Sequence, residues 1–353
     1  MTARIAVLIV AWNGKQDLKL CLSSLQTTLR DSPPYDISVV DNASSDGTAD
    51  WLAAQHPAVQ LIRSKTNLGF AGGNNLGLKS LLEQGYEYIL LLNQDTVAKN
   101  DFLSPLAACL DAHPEIGMAQ PLILQFQHPN LINTDGNPIH FLGFGYAGNC
   151  DLPLEVVEPG YRERDCIPIP AASGAAVLIR SELLNRIGLF DDFFFSYNED
   201  LDLCWRARLA GAGLALCPRA RVYHNYDYQR PTGQKTSLLE RNRLAALCKN
   251  YRLGTLLLLS PVLLLFELYM LLYAARNRWF TLKLRGYREL AAQKPTLRQK
   301  RRQVQALRRV SDRQIVQWFT AELKFERVSS RLVAVGNRIL SVYWFIFCKT
   351  ILW

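Results

Sequence analysis

Hydrophobic and polar positions alternate over the first hundred residues in the manner of a parallel sheet covered by helices. Short apolar runs at residues 5–11, 37–40, 59–62 and 88–92 predict strands. Between them, apolar side chains recur at helical spacing at residues 18, 21, 22 and 25, and again at 76, 78, 81 and 82. The pattern predicts an α/β domain with a Rossmann-like, mostly parallel sheet and flanking helices.

The pattern loosens at residues 125–166, where proline, glycine and aromatic residues mix, and a loop-rich segment is predicted there. Regular alternation returns with a strand-like run at residues 171–180 and a helix at 181–187. A second helix is predicted at residues 199–212, and it begins with the acidic pair Glu199-Asp200. Two carboxylates at a helix start complement the helix dipole and are also available for chemistry.

The chain changes character at residue 253. Residues 253–275 contain one charge, Glu267, and one proline, Pro261, and are long enough to cross a bilayer. A basic helical region follows to residue 331, and residues 332–353 are again apolar and aromatic. From residue 276 onward there are 18 Lys and Arg against 4 Asp and Glu, so this tail has a net charge of +14. The preceding part has a net charge of −5, and the two together give the +9 of the whole chain.

This tail predicts contact with an anionic membrane surface rather than with nucleic acid. The basic segment directly after the apolar run conflicts with a simple single span, because the catalytic part and the positive charge belong on the same side. We therefore expect a peripheral or re-entrant helix at the cytoplasmic face of the cell membrane. The alternative is a buried core or dimer helix. Eight scattered cysteines without a C-x-x-C pair predict reduced thiols and no structural zinc site.

Four polar clusters follow the four predicted strands in order. They read WNG at residues 12–14, DNASSDGT at 41–48, NLGFAGGNN at 67–75 and NQD at 93–95. Each one alone is first of all a turn former. Because the carboxyl ends of parallel strands meet at one edge of a sheet, their joint order predicts a ligand site at that edge.

These motifs, together with SGA at residues 173–175, FDDFFFSYNEDLDLCWR at 190–206 and the later His224, resemble family 2 glycosyltransferases, above all the rhamnosyltransferase-like branch. The resemblance covers roughly residues 4–250. It implies a GT-A fold with a catalytic domain at residues 1–250, in which a nucleotide-sugar half at about 1–100 precedes an acceptor half at about 101–250. Residues 251–353 would then form a helical, basic and hydrophobic membrane-associating region.

The resemblance also implies roles for individual residues. Asp41 would hydrogen-bond the nucleobase, and Asn67 and Asn74 would approach ribose and phosphates. Asp95 and His224 would bind Mg²⁺ or Mn²⁺ bridging the diphosphate. The full nucleotide-sugar-binding set is Ala11, Asn13, Asp41, Asn67, Gly73, Asn74, Asn93, Gln94 and Asp95, with Ser173 and Gly174 at the donor or acceptor sugar.

One position departs from the pattern of the family, because Asn93 occupies the first acidic place of its D-x-D motif. One carboxylate remains where two are usual, so we expect weaker metal binding in the absence of the nucleotide. Asp200 would be the general base, and Glu199 and Asp202 would support catalysis or only complement the helix dipole. One base and no carboxylate nucleophile predict single displacement with inversion.

The sequence therefore predicts an inverting, metal-dependent hexosyltransferase of cell envelope polysaccharide biosynthesis. It would move a sugar, with rhamnose from dTDP-rhamnose as the candidate, to a lipid-linked or cell-surface glycan acceptor. A UDP-hexose or another nucleotide sugar is the alternative donor. A nicotinamide enzyme is disfavoured because the first turn, AWNGKQD, lacks G-x-G-x-x-G. A nucleic-acid-binding protein that uses the basic tail is the alternative outside the enzymes.

Overall fold

The computed structural model describes residues 4–28, 32–161, 163–226, 233–323, 331–351 and 353. The chain forms two compact units. The first unit comprises Met1–Asn137, Ala147–Ala207 and Ala212–Asp227, and the second comprises Pro138–Tyr146, Arg208–Gly211 and Tyr228–Trp353. The second unit thus begins before the boundary expected at residue 250, and it also takes two short segments from within the catalytic region. The domain division at residue 250 stays a prediction.

The described chain contains twelve strands and thirteen α-helices. The strands are β1 (Ile5–Ala11), β2 (Tyr35–Asp41), β3 (Gln60–Arg63), β4 (Tyr88–Asn93), β5 (Thr96–Ala98), β6 (Ile116–Gln125), β7 (Ile132–Thr134), β8 (Ile139–His140), β9 (Ile167–Pro168), β10 (Ala176–Arg180), β11 (Gly213–His224) and β12 (Phe319–Thr320). The helices are α1 (Lys15–Thr28), α2 (Thr48–Gln55), α3 (Gly69–Glu83), α4 (Leu103–Ala112), α5 (Leu154–Val157), α6 (Ser181–Ile187), α7 (Glu199–Leu209), α8 (Gly233–Asn250), α9 (Leu253–Arg276), α10 (Phe280–Ala292), α11 (Lys294–Leu307), α12 (Asp312–Ile315) and α13 (Arg331–Thr350).

The first unit is built on a ten-stranded sheet, in which eight strands follow the order β3-β2-β1-β4-β10-β6-β11-β5, while β7 pairs with β6 and β9 with β11. The four strands from β3 to β4 are parallel, β10 runs antiparallel to both β4 and β6, and β6 runs parallel to β11. The register pairs Ala11 with Asp41 and Val10 with Asn93. The carboxyl ends of β1, β2 and β4 therefore lie side by side, as the order of the polar clusters predicts.

The predicted elements of this unit agree with the structure in kind and nearly in length. All four early strands are present, and α1 buries Leu18, Cys21, Leu22 and Leu25 against the sheet. The strand-like run at residues 171–180 is shorter than expected, because only Ala176–Arg180 pairs with its neighbours. Residues 171–175 instead form an irregular segment at the edge of the sheet, and this segment carries two of the predicted site residues.

Two glycines of α3 let this helix lie directly on the sheet. A Cβ atom on Gly73 would come within 2.7 Å of Val10 Cγ1, and one on Gly77 within 2.3 Å of Leu8 Cδ1. Contacts that short require the neighbour to move. The glycine-rich composition of the NLGFAGGNN segment is thus explained in part by helix-to-sheet packing, in addition to any role toward a ligand.

Three cysteines that are distant in sequence meet in the first unit. Cys109 of α4 and Cys166 form a disulfide, and the sulfur atoms of these two residues and of Cys217 lie within 4.8 Å of one another. The expectation of unlinked thiols is therefore wrong for Cys109 and Cys166. A separation of 57 residues hides this proximity in the sequence, because only the packing of α4 beside the sheet creates it.

The second unit is helical apart from the short pair β8 and β12. Helix α9 has a mean hydropathy of 2.2 over an 18-residue window, of which 17% is buried, and it is long and apolar enough to cross a membrane. It begins at the predicted residue and ends one residue later than predicted. Long helices flank it in sequence, with α8 before it and α10 and α11 after it, and α8 and α10 also pack against each other.

Candidate active site

Asp41 ends β2 with one carboxylate oxygen unused. The residue is 4% exposed, and its Oδ2 accepts a hydrogen bond from the Ser44 amide at 3.3 Å. Its Oδ1 is buried and has no hydrogen-bond partner within the described part of the chain. A buried carboxylate oxygen without a donor is costly unless a ligand supplies one. The geometry therefore leaves Asp41 ready to accept a hydrogen bond from a bound molecule.

The turn after β1 is held by two of the predicted site residues. Asn13, at φ +48°, accepts a hydrogen bond from the Ser45 amide at 2.8 Å. Gln94 clamps the backbone of Trp12, accepting from its amide at 3.0 Å and donating to its carbonyl at 3.2 Å. A Cβ atom on Gly14 would lie 2.3 Å from Gln94 Nε2, so this clamp needs glycine there.

The amides at the start of α3 already have partners in the chain. The Gly69 amide donates to Asn67 Oδ1 at 2.8 Å, the Phe70 amide to Ser196 Oγ at 3.2 Å and the Ala71 amide to the Phe195 carbonyl at 3.0 Å. Two predicted ligand residues are engaged in the same region. Asn67 also accepts from Asn42, and Asn74 donates to the Phe70 carbonyl. Their approach to ribose and phosphates stays a prediction.

The start of α3 instead holds the segment that leads into α7. Phe195, Tyr197 and Asn198 all have positive φ, between 62° and 72°. Non-glycine residues in this region cost about 1–3 kcal/mol each and persist only where the surroundings enforce them. Asn75 of α3 is one such constraint, because its side chain bonds both the amide and the carbonyl of Phe190 at 2.9 Å. Helix α3 thereby fixes the approach to Glu199-Asp200.

Asp95 and His224 lie together as the resemblance implies. His224 Nε2 is 3.3 Å from Asp95 Oδ1 and 3.5 Å from Asn93 Nδ2, and His224 Nδ1 is 3.5 Å from Asn133 Oδ1. Two ligands in adjacent positions of an octahedral ion at about 2.1 Å stand roughly 3 Å apart. A carboxylate and an imidazole suit Mn²⁺, and the carboxylate also suits Mg²⁺. The spacing of the pair therefore fits two ligands of one divalent ion.

Asp200 is held by two backbone amides. Its Oδ2 accepts from Gly174 at 3.2 Å and its Oδ1 from Leu201 at 2.7 Å. The neighbouring amide, that of Ser173, donates to Gln120 Oε1 at 2.6 Å. Burial raises the pKa of Asp200 above its ordinary value, although these amides oppose the shift. A raised pKa makes this carboxylate a stronger base.

The neighbours of Asp200 differ from it and from each other. Glu199 is 6% exposed, and its Oε2 is buried without a partner in the described chain. Burial first, and the adjacent charge of Asp200 second, raise the pKa of Glu199 well above its ordinary value. Asp202 is fully buried in an ion pair with Arg206 at 2.9 Å, and Arg206 also bonds the carbonyls that follow α6. This pair anchors α7, and catalytic support by Asp202 stays a prediction.

Three polar residues position the site without being among the predicted site residues. Asn75, the last residue of the NLGFAGGNN segment, positions the α7 approach, whereas Gln120 and Asn133 lie outside the motifs and position the Ser173 amide and His224. For Gln120 the available signal is composition, since it is a polar side chain inside the largely apolar strand β6, whereas Asn133 stands beside Thr134 in the three-residue strand β7 and has no such signal. In both residues the amide nitrogen is buried without a partner in the described chain.

The fold and this arrangement agree with the comparison to known families. The model of the glycosyltransferase-like family 2 matches residues 3–248, which is more than two thirds of the chain. The chain therefore belongs to this family of glycosyltransferases, and the resemblance drawn from the motifs is confirmed. The mixed α/β architecture with added C-terminal helices is confirmed as well.

Two curated members of the family are similar to this chain in sequence. It is 27% identical over 231 residues to the low-salt glycan biosynthesis hexosyltransferase Agl10 of Haloferax volcanii, covering 63% of this chain and 67% of the relative. It is 27% identical over 245 residues to the N-acetylglucosaminyl-diphospho-decaprenol L-rhamnosyltransferase of Mycobacterium tuberculosis, covering 64% and 77%. Among solved structures, GalNAc-T7 with UDP, GalNAc and Mn²⁺ matches with a TM-score of 0.56 at 17% identity, covering 69% of this chain and 47% of that protein.

Proposed function

We propose that this protein is an inverting, metal-dependent glycosyltransferase that moves rhamnose or a related hexose from a nucleoside diphosphate to a lipid-linked glycan. The observation that carries the proposal is the Asp200 carboxylate, fixed by the Gly174 and Leu201 amides at the start of α7. The pairing of Asp95 with His224 in the same unit supports a metal site that would act on the leaving diphosphate. The name of the mycobacterial relative supports rhamnose as the sugar.

The nucleotide is held at the carboxyl edge of the parallel strands. The unpaired Asp41 Oδ1 accepts a hydrogen bond from the base, in the pocket that Ala11 and Asn13 line. The tight turn that Gln94 clamps keeps this pocket in shape. Asn67, Gly73 and Asn74 follow on the next segment, and their own hydrogen bonds and packing fix its shape around the donor.

The transfer is a single displacement. Asp200 accepts the proton of the acceptor hydroxyl as the oxygen forms its bond to the anomeric carbon, and the bond from that carbon to the diphosphate oxygen breaks. The nucleoside diphosphate leaves with the bonding electron pair, and the configuration at the anomeric carbon inverts. The Gly174 amide keeps the base in place by donating to Asp200, and Gln120 holds the adjoining Ser173 amide.

Asp95 and His224 would hold Mn²⁺ or Mg²⁺, with Asn93 beside them. When bound, a divalent ion there would supply positive charge beside the leaving diphosphate. Asn133 accepts from His224 Nδ1 and so keeps Nε2 free to bind the ion. His224→Gln should weaken Mn²⁺ binding in the presence of nucleoside diphosphate, measured by calorimetry, whereas His113→Gln at an exposed surface ion pair should not.

The acceptor is proposed to be a polyprenyl-diphosphate-linked glycan at the cytoplasmic face of the cell membrane. The decaprenol in the name of the mycobacterial relative and the apolar helix α9 support this location. A nucleotide-sugar donor and a lipid-borne acceptor meet at that surface, and cell envelope polysaccharide biosynthesis is the process this chemistry serves.

A donor panel tests the proposal. The purified chain would receive dTDP-rhamnose, UDP-hexoses and GDP-hexoses with Mn²⁺ and a short-chain lipid-diphosphate acceptor, and the anomeric configuration of the product would be read by NMR. We expect transfer from one nucleotide sugar with inverted configuration. A retained configuration, or no transfer from any nucleotide sugar, contradicts the proposal. If only a UDP-hexose supports transfer, the donor is a UDP-hexose and not dTDP-rhamnose.

A further inference from the structure

Helix α9 has a continuous apolar stripe that is exposed in the described chain. Its members are leucines with between 56% and 71% of their surface exposed: Leu257, Leu264, Leu265, Leu268 and Leu272. Their spacing of seven, four and four residues from Leu257 through Leu264 and Leu268 to Leu272 keeps them on one side of a helix. Over 24 residues the helix is about 36 Å long. A stripe of this kind on a soluble surface marks an interaction site.

The one charge in the middle of α9 does not lie on this stripe. Glu267 pairs with Arg243 of α8 and, at 2.9 Å, with Lys283 of α10, and it accepts a hydrogen bond from Tyr287. Glu240 of α8 pairs with the same two cations. Both cations are almost completely buried, so the inner face of α9 is attached to α8 and α10 near the middle of its length.

This attachment conflicts with a perpendicular crossing of the membrane. Lys283 is followed on α10 by Arg285 and Arg288, both exposed. They lie only about 3 and 8 Å further along that helix. If α9 crossed a hydrocarbon core of about 30 Å with Glu267 near its middle, these two guanidinium groups would be carried into the core. An α9 that lies in the plane of the membrane keeps them in water or among headgroups.

Helix α13 carries a second stripe of the same kind. Ile339, Val342, Phe345 and Ile346 are each more than half exposed and follow helical spacing. The two helices touch where the Tyr343 hydroxyl donates to the Leu258 carbonyl at 2.5 Å. This hydrogen bond joins the two helices at one point, next in sequence to Leu257 of the first stripe and Val342 of the second.

Basic side chains flank both stripes. Arg252 precedes α9, Arg276 and Arg278 stand at its end, and Arg338 and Lys349 bracket the stripe of α13; all five are exposed. Lys349 Nζ lies 4.1 Å from the ring centre of Phe345. Apart from the inward-facing Glu267, neither helix contains an acidic residue. This charge distribution complements an anionic lipid surface.

We infer that the exposed stripes of α9 and α13 form one docking surface that lies in the plane of an anionic bilayer, without crossing it. Leucine, isoleucine and phenylalanine side chains enter the boundary between headgroups and acyl chains, and the flanking arginine and lysine side chains contact lipid phosphates. The surface itself does not depend on the proposed function. Its purpose rests on that function, since it would bring the enzyme to a membrane-borne acceptor.

Vesicle flotation of the full chain tests the inference. The probes are vesicles of phosphatidylglycerol with phosphatidylcholine, and vesicles of phosphatidylcholine alone. We expect binding to the anionic vesicles, release by alkaline carbonate, and at least about a tenfold loss of binding in the double variant Leu264→Glu/Leu268→Glu. Both leucines are exposed, so the fold should persist, with circular dichroism as the check. Leu20→Glu, at a leucine of α1 that is 52% exposed, is the matched control and should bind like the wild type.

Several outcomes would overturn the inference. Resistance to alkaline carbonate indicates a spanning helix. A dimer that the double variant dissociates, without any binding of the wild type to vesicles, assigns the surface to a second copy of the chain. Salt-sensitive binding to RNA without binding to vesicles assigns the basic side chains to nucleic acid. Equal loss of binding in the Leu20→Glu control shows that the stripe is not the contact.

A water-soluble acceptor analogue separates this inference from the proposed function. The double variant should transfer sugar to the soluble analogue as fast as the wild type, and it should lose transfer to acceptor embedded in vesicles. If the wild type fails to use the soluble analogue but floats with vesicles, the proposed function fails and the docking surface stands. If the wild type uses the analogue but does not bind vesicles, the docking surface fails alone.

Discussion

The two units treat buried carboxylates in opposite ways. In the first unit, Asp41 and Glu199 each keep a buried oxygen without a partner in the described chain. In the second unit, Glu240 is 3% exposed and pairs with both Arg243 and Lys283. Burial alone would raise the pKa of Glu240, but these two cations outweigh it and lower the pKa. The first arrangement costs stability and the second offsets its own cost.

This difference distinguishes the candidate active site in the first unit from the structural network in the second. A buried oxygen that the chain leaves unpaired is available to a ligand or a proton, which is what a donor pocket and a reaction centre need. A buried charge with its partners in place instead fixes how helices pack. The comparison therefore predicts that substitutions of Asp200 and Asp41 in the first unit change turnover or binding more than stability, and that substitutions in the network of the second unit do the reverse.

The largest effect should come from Asp200→Asn. The amide keeps the size of the side chain but does not accept the proton of the acceptor, so kcat should fall by about 10²- to 10⁴-fold. The melting temperature should change little. Steady-state kinetics with saturating donor and acceptor measure the effect, and Asp50→Asn at an exposed carboxylate is the matched control. Turnover equal to that of the wild type would remove Asp200 from the mechanism.

Arg243→Met should destabilise the protein by about 3–5 kcal/mol, because it leaves the buried Glu240 and the partly buried Glu267 with one cation between them. Urea unfolding measures this loss. The matched control is Arg285→Met, which breaks an exposed ion pair with Glu289 and should cost no more than about 0.5 kcal/mol. If the two variants lose equal stability, the buried network is not what holds these helices together.

Asp41→Asn should weaken donor binding by about tenfold, because an amide is a weaker acceptor than a carboxylate for the base. Unfolding should be unaffected or slightly more difficult, since a buried unpaired oxygen loses its charge. Calorimetry with the nucleoside diphosphate and a denaturation curve provide the two measurements. Lower stability with unchanged donor affinity would reverse the assignment and make Asp41 a structural residue.

The smallest effect is expected for Glu199→Gln, and it depends on pH. A carboxyl whose pKa is raised by folding favours the folded state at low pH and loses that contribution as pH rises above the unfolded value of about 4.3. Glutamine has no proton to lose, so the variant should gain stability relative to the wild type between about pH 5 and pH 8. Each unit by which the pKa is raised corresponds to at most about 1.4 kcal/mol. Urea unfolding at both pH values measures the gain.

Glu155→Gln at an exposed position is the control for this pH dependence and should show no such gain. If Glu199→Gln instead becomes less stable than the wild type as pH rises, the carboxylate of the wild type is charged and paired in the folded protein.

Much of the sheet was accessible to prediction because its strands are continuous apolar runs between polar clusters. The edge of the sheet that holds Asp41 and Asp95 follows directly from that order. Residues 171–175 were predicted as part of a strand because the segment contains apolar alanines. They are irregular in the structure, because pairing with the neighbouring strand begins only at Ala176. In the tail, the sequence showed Glu267 in an apolar run but not its pairing with Arg243 and Lys283.

Motifs, composition and local periodicity were enough to identify the family, the order of the strands that carry the polar clusters, and the apolar and basic character of the tail. Which polar atoms are paired and which remain open depends on the packing of the folded chain. The partners of Asn75, Gln120 and His224 come from residues 53 to 115 positions away. Hydrogen bonds over such separations depend on how the elements pack, and no local pattern encodes them.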